Sequence, residues 1–337
     1  MKPRKGLPPP LIIDEKKEEL PIKLEDYTDP QKFPLIRMED LEIGEVLGKG
    51  ASAVVFKAIY SRDHQLYALK QIVCGTEKPE VKKQILAELS TLRSVQHENI
   101  LRLYTAFYHR YIYLLMEYID GGSLNDFLRI SPLMPEDAIG FLAYQCLQGL
   151  KYLREEHFLH RDLKPSNILI TKNGKVKISD FGLATHLNQS QDLTRSYLGT
   201  ECYMSPERLN GKLYGFSSDI WSFGVIIYQC AAGKFPLLSD KKTSVKPMTW
   251  SLIEVLSEDI RVELPPQYSP ELVDFISSCL KVDPSSRANV QDLLNHSFIS
   301  KYKSEAARKP FLVWKEEIQN RIDSERLEHK NSSQDFV

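Results

Sequence analysis

The arrangement of hydrophobic and polar positions divides the chain into three stretches. Up to residue 38 apolar periodicity is weak. Basic residues come first, then the run Pro8-Pro9-Pro10, then mixed charges from Asp14 to Glu19, a pattern that predicts an extended or disordered tail. From Leu41 onward, Leu41, Ile43, Val46, Val54, Phe56 and Ala58 sit among glycines and predict a strand, a glycine-rich turn and a second strand. Residues 65–73 and 112–117 read as further strands. Between them Pro79 opens a helix with Val81, Ile85, Leu89 and Leu92 on one face. After Gly121-Gly122 the pattern turns helical. Residues 135–154 carry Ile139, Leu142, Leu150 and Leu153 on a stripe. Residues 218–232 run from a Ser218/Asp219 cap to Gly233 and are apolar all round, which predicts a buried helix. Residues 272–280 and 290–294 read as two more helices. In the charged stretch 300–337, Phe311, Trp314, Ile318 and Ile322 have the spacing of an amphipathic helix.

Composition narrows the class. Of 337 residues, 42% are hydrophobic and 26% charged, which excludes a fully disordered chain. Length alone suggests roughly two domains. A net charge of −1 argues against bulk binding to nucleic acid or anionic membranes. The five cysteines (Cys74, Cys146, Cys202, Cys230 and Cys279) are widely spaced with no CxxC. They point to reduced thiols in a cytosolic or nuclear protein rather than to disulfides or zinc. No apolar run approaches the roughly 18 residues of a membrane span, and the proline-broken start is not expected to be a signal peptide.

Candidate chemistry lies in four places. Gly48-Lys49-Gly50-Ala51-Ser52-Ala53 joins two predicted strands, and its small residues would let backbone N–H groups approach phosphates. A plain hairpin turn also wants glycines. No helix follows directly, which argues against a dinucleotide-binding fold. Lys70 ends an apolar strand, and Glu88 sits beside Ile85 and Leu89 on the helix that follows. A carboxylate there needs a cation, so the two would satisfy each other and leave Lys70 aimed at an anion. His160-Arg161-Asp162-Leu163-Lys164-Pro165-Ser166-Asn167 cannot form a regular helix and reads as a loop presenting Asp162, Lys164 and Asn167 together. Phosphoryl transfer needs such a set: a carboxylate to orient a hydroxyl, a lysine for the γ-phosphate and an amide oxygen for Mg²⁺. Asp180-Phe181-Gly182 then follows the strand Val176-Lys177-Ile178 and offers a second Mg²⁺ ligand on a glycine hinge.

Taken together, Gly48 to Val55, Lys70, Glu88, His160 to Asn167, Asp180 to Gly182 and Ser205-Pro206-Glu207 resemble the eukaryotic protein kinase signature set, in order and spacing, over residues 41–299. The resemblance implies an α+β bilobal fold: a β-rich N-lobe (41–117) with one key helix, a larger helical C-lobe (120–299) and ATP in the cleft. It implies Asp162 as catalytic base with Lys164 beside it, Lys70 on the α/β-phosphates paired with Glu88, and Asn167 and Asp180 as Mg²⁺ ligands. The nucleotide would be lined by Leu47, Gly48, Gly50, Val55, Ala68, Met116 as gatekeeper, the hinge from Glu117 to Ile119, Ser123 and Leu169. Arg161 would meet a phosphorylated activation segment, Glu207 would pair with Arg287, and Asp219 would anchor the catalytic loop. The chain departs from the set at Ala53, where the third loop glycine is expected.

Narrower features are similar to the mitogen-activated protein kinase kinases. They are Gly199 to Leu209 with Ser205 before Pro206, Met116-Glu117-Tyr118 followed by Asp120 to Leu124, and Ser222-Phe223-Gly224. That family implies dual specificity toward Thr and Tyr of a mitogen-activated protein kinase, and control by an upstream mitogen-activated protein kinase kinase kinase. Ser196, four residues before Thr200, stands where the family has a regulatory phosphosite, with Ser190 and Thr194 as further candidates. Lys2, Arg4 and Lys5 followed by Leu11 and Ile13 resemble a docking peptide for the substrate kinase, or form a solubilising tail. Residues 311–327, with Trp314 and Ile318, are either a docking site for upstream kinases or a helix packed on the large lobe. A cytoplasmic monomer is expected, with shuttling to the nucleus left open. The alternatives are a serine/threonine kinase of a neighbouring branch and a pseudokinase scaffold. The latter would have lost Lys70, Asp162, Asn167 or Asp180, and all four are present.

Overall fold

The alternation that begins at Leu41 becomes a five-stranded antiparallel sheet. In the computed structural model the described residues are 36–50, 53–72, 89, 92–108, 111–181, 201–236 and 259–334. The strands are β1 (Leu41–Lys49), β2 (Ala53–Tyr60), β3 (Leu66–Ile72), β4 (Leu103–Tyr108) and β5 (Ile112–Glu117), arranged β1-β2-β3-β5-β4. β1 departs from regular pairing between Ile43 and Val46 and again between Val46 and Gly48, so the glycine-rich end bends away from a flat sheet. In β3 the period of two sends Ala68, Lys70 and Ile72 to one face and Tyr67 and Leu69 to the other. Ala68 and Ile72 join the main core with Leu89, Leu92, Leu114 and Met116. Tyr67 and Leu69 join a second cluster with Leu41, Tyr60, Tyr113 and Leu115. Burial on both faces explains why β5 reads as a continuous apolar run. β4 escaped the sequence pattern because its alternation is weak, with tyrosine and threonine between its apolar residues.

The C-lobe opens with α1 (Leu124–Ile130), capped by a reciprocal box in which the Ser123 Oγ accepts from the Asp126 N–H and the Asp126 carboxylate accepts from the Ser123 N–H. α2 (Glu136–Glu155) follows, then the short hairpin β6 (Ile168–Ile170) and β7 (Val176–Ile178). Next come α3 (Pro206–Leu209), α4 (Phe216–Ala232), α5 (Pro270–Cys279), α6 (Val290–Asn295) and α7 (Ser297–Ser300). α4 is buried on all sides, as its composition predicts, and ends at Gly233 in the left-handed region, φ +68°. Its start corrects the sequence reading. The N-cap is Gly215, and Ser218 and Asp219 lie inside the first turn, where their side chains face other elements instead of the helix end.

The last helix, α8 (Arg308–Gln334), decides between the two readings of the C-terminal stretch. Phe311, Trp314, Ile318 and Ile322 are buried against the large lobe. The Trp314 ring lies 5.5 Å from that of Phe127 in α1, and Phe311 lies 5.4 Å from Phe141 in α2. The Lys315 Nζ donates to the Lys172 carbonyl at 2.7 Å. Trp314 and Ile318 are therefore packing residues and are not exposed anchors for an upstream kinase.

One glycine is required by a close approach. A Cβ on Gly121 would sit 2.2 Å from the Ile170 carbonyl oxygen, where the chain leaving β5 crosses β6. The same crossing carries the bond from the Ile170 N–H to the Gly122 carbonyl, 2.9 Å. Gly121→Ala therefore pushes the inter-lobe connection off the catalytic hairpin. A loss of about 1–3 kcal/mol in thermal or urea unfolding is expected, and unchanged stability would show that the contact is not needed.

Candidate active site

Two segments far apart in sequence meet at the cleft. β3 delivers Lys70 from the N-lobe, and the loop between α2 and β6 delivers the C-lobe groups. That loop is shaped from beneath. The carboxylate of Asp219, in the first turn of α4, accepts from the N–H groups of His160 (2.8 Å) and Arg161 (2.9 Å). This holds Arg161 at φ +69°, a backbone conformation uncommon for a non-glycine residue. Burial pushes the Asp219 carboxyl up from its usual range, against the pull of His160 and the two N–H bonds. His160 is fully buried. Its Nδ1 accepts from the Asp162 N–H at 3.2 Å, so the ring proton resides on Nε2, which donates to the Ser179 carbonyl at 2.8 Å. One imidazole thereby ties the catalytic loop to the residue before Asp180.

On this platform Asp162 is held by two neighbours. The Lys164 Nζ is 2.9 Å from its Oδ2. The Asn167 Nδ2 donates to its carbonyl (2.7 Å) and to its carboxylate (3.2 Å). With both amide protons directed at Asp162, Asn167 keeps Oδ1 as its cation-ligating atom. Across the cleft the Lys70 Nζ lies 2.6 Å from the Asp180 Oδ1. Burial pushes the Asp180 carboxyl up, yet the Lys70 charge and hydrogen bond, with His160 and Lys164 behind, more than cancel this and hold it below the usual carboxylate range. Asp180 is thus ionised at neutral pH. Asn167 Oδ1 and the Asp180 carboxylate are the hard oxygen donors that Mg²⁺ prefers, so the residues present fit that ion.

The cleft walls are partly as expected. Gly50 closes the β1–β2 turn by donating to the Ala53 carbonyl at 2.8 Å, and Leu47 and Gly48 lie on β1 with Leu47 exposed. Val55 pairs with Lys70 across the sheet, and Ala68 pairs with Met116. Ile119 and Leu169 pack against the main core. Two of the expected lining residues have side chains engaged elsewhere. The Glu117 carboxylate pairs with Lys177 at 2.9 Å, which leaves its backbone as the hinge contact. The Ser123 hydroxyl is committed to the α1 cap, donating to Asp126 at 2.7 Å. Behind Met116, Asp180 and Phe181 lies a recess of only about 20 Å³. Glu88, Gly182, the phosphosites Ser190, Thr194 and Ser196, and the docking residues Lys2, Arg4, Lys5, Leu11 and Ile13 lie outside the described residues.

The protein kinase domain family matches residues 41–299. Mitogen-activated protein kinase kinase 2 of Arabidopsis thaliana is 41% identical over 274 residues, covering 79% of this chain and 74% of that protein. Dual specificity mitogen-activated protein kinase kinase dSOR1 of Drosophila melanogaster is 38% identical, covering 82% of this chain and 74% of that protein. The chain belongs to the mitogen-activated protein kinase kinases. As a member of that family it is an ATP-dependent protein kinase.

The rest of the kinase's site is a supporting network. Arg287 grips Glu207 through two bonds of 2.9 and 3.1 Å, and also donates to the carbonyls of Ser217 (2.7 Å) and Lys281 (3.0 Å). Ser218, misread as a helix cap, donates to the Glu207 Oε1 at 2.7 Å. Arg208 donates to the Arg161 carbonyl, and both guanidinium groups lie 5.5 Å from the Tyr214 ring. Two residues went unrecognised in the sequence. Lys177 reads there as an ordinary strand residue, although a lysine between two core positions signals a buried partner. Arg208 has no local signal at all.

Proposed function

We propose that this kinase transfers the γ-phosphoryl of Mg·ATP to both a threonine and a tyrosine in the activation loop of a mitogen-activated protein kinase. The observation that carries the reading is the convergence of five groups. Asp162 is held by Lys164 and Asn167, and Lys70 and Asp180 face each other 2.6 Å apart across the same cleft. In the working enzyme Lys70 steadies the α/β-phosphates, Asn167 and Asp180 hold Mg²⁺, and Asp162 accepts the proton of the attacking hydroxyl. Lys164, beside Asp162, meets the charge of the γ-phosphoryl. The metal's contribution is to neutralise phosphate charge. Everything else is positioning and electrostatics, because the loose transition state asks little covalent chemistry of the protein. A pseudokinase would lack at least one of these groups.

Dual specificity draws support from the dual-specificity relative. Control falls to an upstream kinase of the cascade acting on Ser196, with Ser190 or Thr194 as a second site. The new phosphate would bring negative charge to Arg161, the residue directly before Asp162. The basic cluster Lys2, Arg4 and Lys5 with Leu11 and Ile13 would grip the substrate kinase, and the enzyme works as a cytoplasmic monomer. The test is incubation with a catalytically dead mitogen-activated protein kinase and radiolabelled ATP, read by phosphoamino-acid analysis. Label on both Thr and Tyr is expected. Label on one alone refutes dual specificity, and label on neither refutes the substrate class.

A further inference from the structure

A well-formed cavity lies apart from the nucleotide cleft. It measures about 300 Å³ and opens on the C-lobe where the end of α2, the start of α4 and the loop before α6 converge. Its lining is chiefly apolar, from Leu150, Leu153, Phe158, Ile220 and Val290. Three ionisable residues also border it. Two are already engaged: Asp219 holds the His160 and Arg161 N–H groups, and Arg287 holds Glu207. The third, Arg154 in the last turn of α2, is exposed, and among the described residues its guanidinium makes no hydrogen bond or ion pair. An apolar concavity with one uncommitted arginine at its rim has the make-up of a small-molecule site: apolar walls for the body of a ligand and a fork of N–H donors for a carboxylate.

The cavity also touches the catalytic machinery. Phe158 lies two residues before His160, and its ring packs edge-on against that of Phe181 with centroids 6.4 Å apart. Phe181 adjoins Asp180 in sequence and lines the recess behind the gatekeeper. A body seated against Leu153 and Ile220 would bear on Phe158 and so favour the present placement of Phe181 beside Asp180.

The geometry points to a regulatory ligand site here for a compact hydrophobic carboxylate of one or two rings, coupled through Phe158 and Phe181 to the nucleotide cleft. A ligand of this size fits the volume, whereas a nucleotide would place polar surface against aliphatic walls. Coupling between two sites is reciprocal, so the carboxylate and Mg·ATP strengthen each other's binding by the same factor.

The test uses the full chain and 2-naphthoate as probe, followed by calorimetry, with no substrate kinase present. Its outcome is therefore independent of the protein substrate proposed above. Saturable binding of one equivalent is expected, about tenfold weaker in Arg154→Gln and about tenfold weaker for uncharged 2-naphthylmethanol on the native chain. Arg154 is on the surface, so its variant folds. Ala288→Phe, which fills the cavity from its rim, should remove binding. Saturating naphthoate should tighten Mg·ATP about fivefold. Absence of saturable binding, or equal affinity for the native chain and Arg154→Gln, overturns the site. An unchanged Mg·ATP affinity overturns the coupling.

Discussion

Asp162→Asn leaves Mg·ATP bound with near-native affinity and lowers phosphoryl transfer about 100- to 10,000-fold, the range in which a positioned general base contributes. The two effects separate because Asp162 is not part of the nucleotide cradle. Lys70, Asp180 and the walls at Ala68, Met116 and Leu169 are untouched by the change. The replacement amide has nearly the same shape, and its oxygen can still accept from Asn167, which lies 3.2 Å from the native carboxylate. What it lacks is the negative charge that attracts the substrate hydroxyl proton. The ion pair of 2.9 Å that Lys164 makes with the same oxygen becomes a hydrogen bond to a neutral amide. Rapid-quench kinetics at saturating ATP, with nucleotide affinity measured by titration, checks this. A weakened nucleotide with transfer reduced only a few-fold would assign Asp162 to binding instead.

Arg287→Ala is expected to be the most damaging change outside the cleft. The Arg287 side chain is fully buried and the Glu207 side chain is 6% exposed. Removing one partner of such a pair strands a buried charge at a cost of about 3–5 kcal/mol, a fall in Tm of roughly 4–7 °C for a chain of this size. The carbonyls of Ser217 and Lys281 lose their donor as well. Replacing Glu207 and Arg287 together by apolar residues should cost less than Arg287→Ala alone, since no charge is then stranded. The pH dependence has a definite sign. Burial pushes the Glu207 carboxyl up, but the bonds from Arg287 and Ser218 outweigh it and hold the group below its ordinary value of 4.5. Its contribution to stability is therefore complete above about pH 4.5 and is lost as pH falls through the lower folded value. That acid-side loss should be absent in Arg287→Ala. Calorimetric unfolding across pH 3–6, roughly the span where carboxylates titrate, distinguishes the two profiles.

The parts of the site that were legible in the sequence are those whose partners lie close along the chain. Asp162, Lys164 and Asn167 fall within six residues, and a proline among them rules out a helix, so their grouping is a local fact. Long elements with clear periodicity, such as α2 and α4, were legible for the same reason. What the sequence left out follows the opposite rule. Ser218 has the chemistry of a cap, and only the arrival of Glu207 beneath α4 turns it to another use. Glu117 reads as hinge, and only β7, sixty residues later, shows that its carboxylate belongs to Lys177. The Lys70–Glu88 pairing lies outside the described residues, and the partner described for Lys70, Asp180, is 110 residues away and carries no local signal.

By itself, then, the sequence determined that this protein handles phosphate, which loop does it, and which kinase branch it belongs to. Those depend on residue identity and short spacing. Only the tertiary structure decided that the last helix spends Trp314 and Ile318 on the large lobe, and that Asp219 shapes the catalytic loop from below. It also placed Arg154 at the rim of an apolar cavity lined by Phe158, whose ring packs against Phe181. The direction a side chain faces across a core is set by which element packs against it, and that choice is made by burial summed over the whole fold.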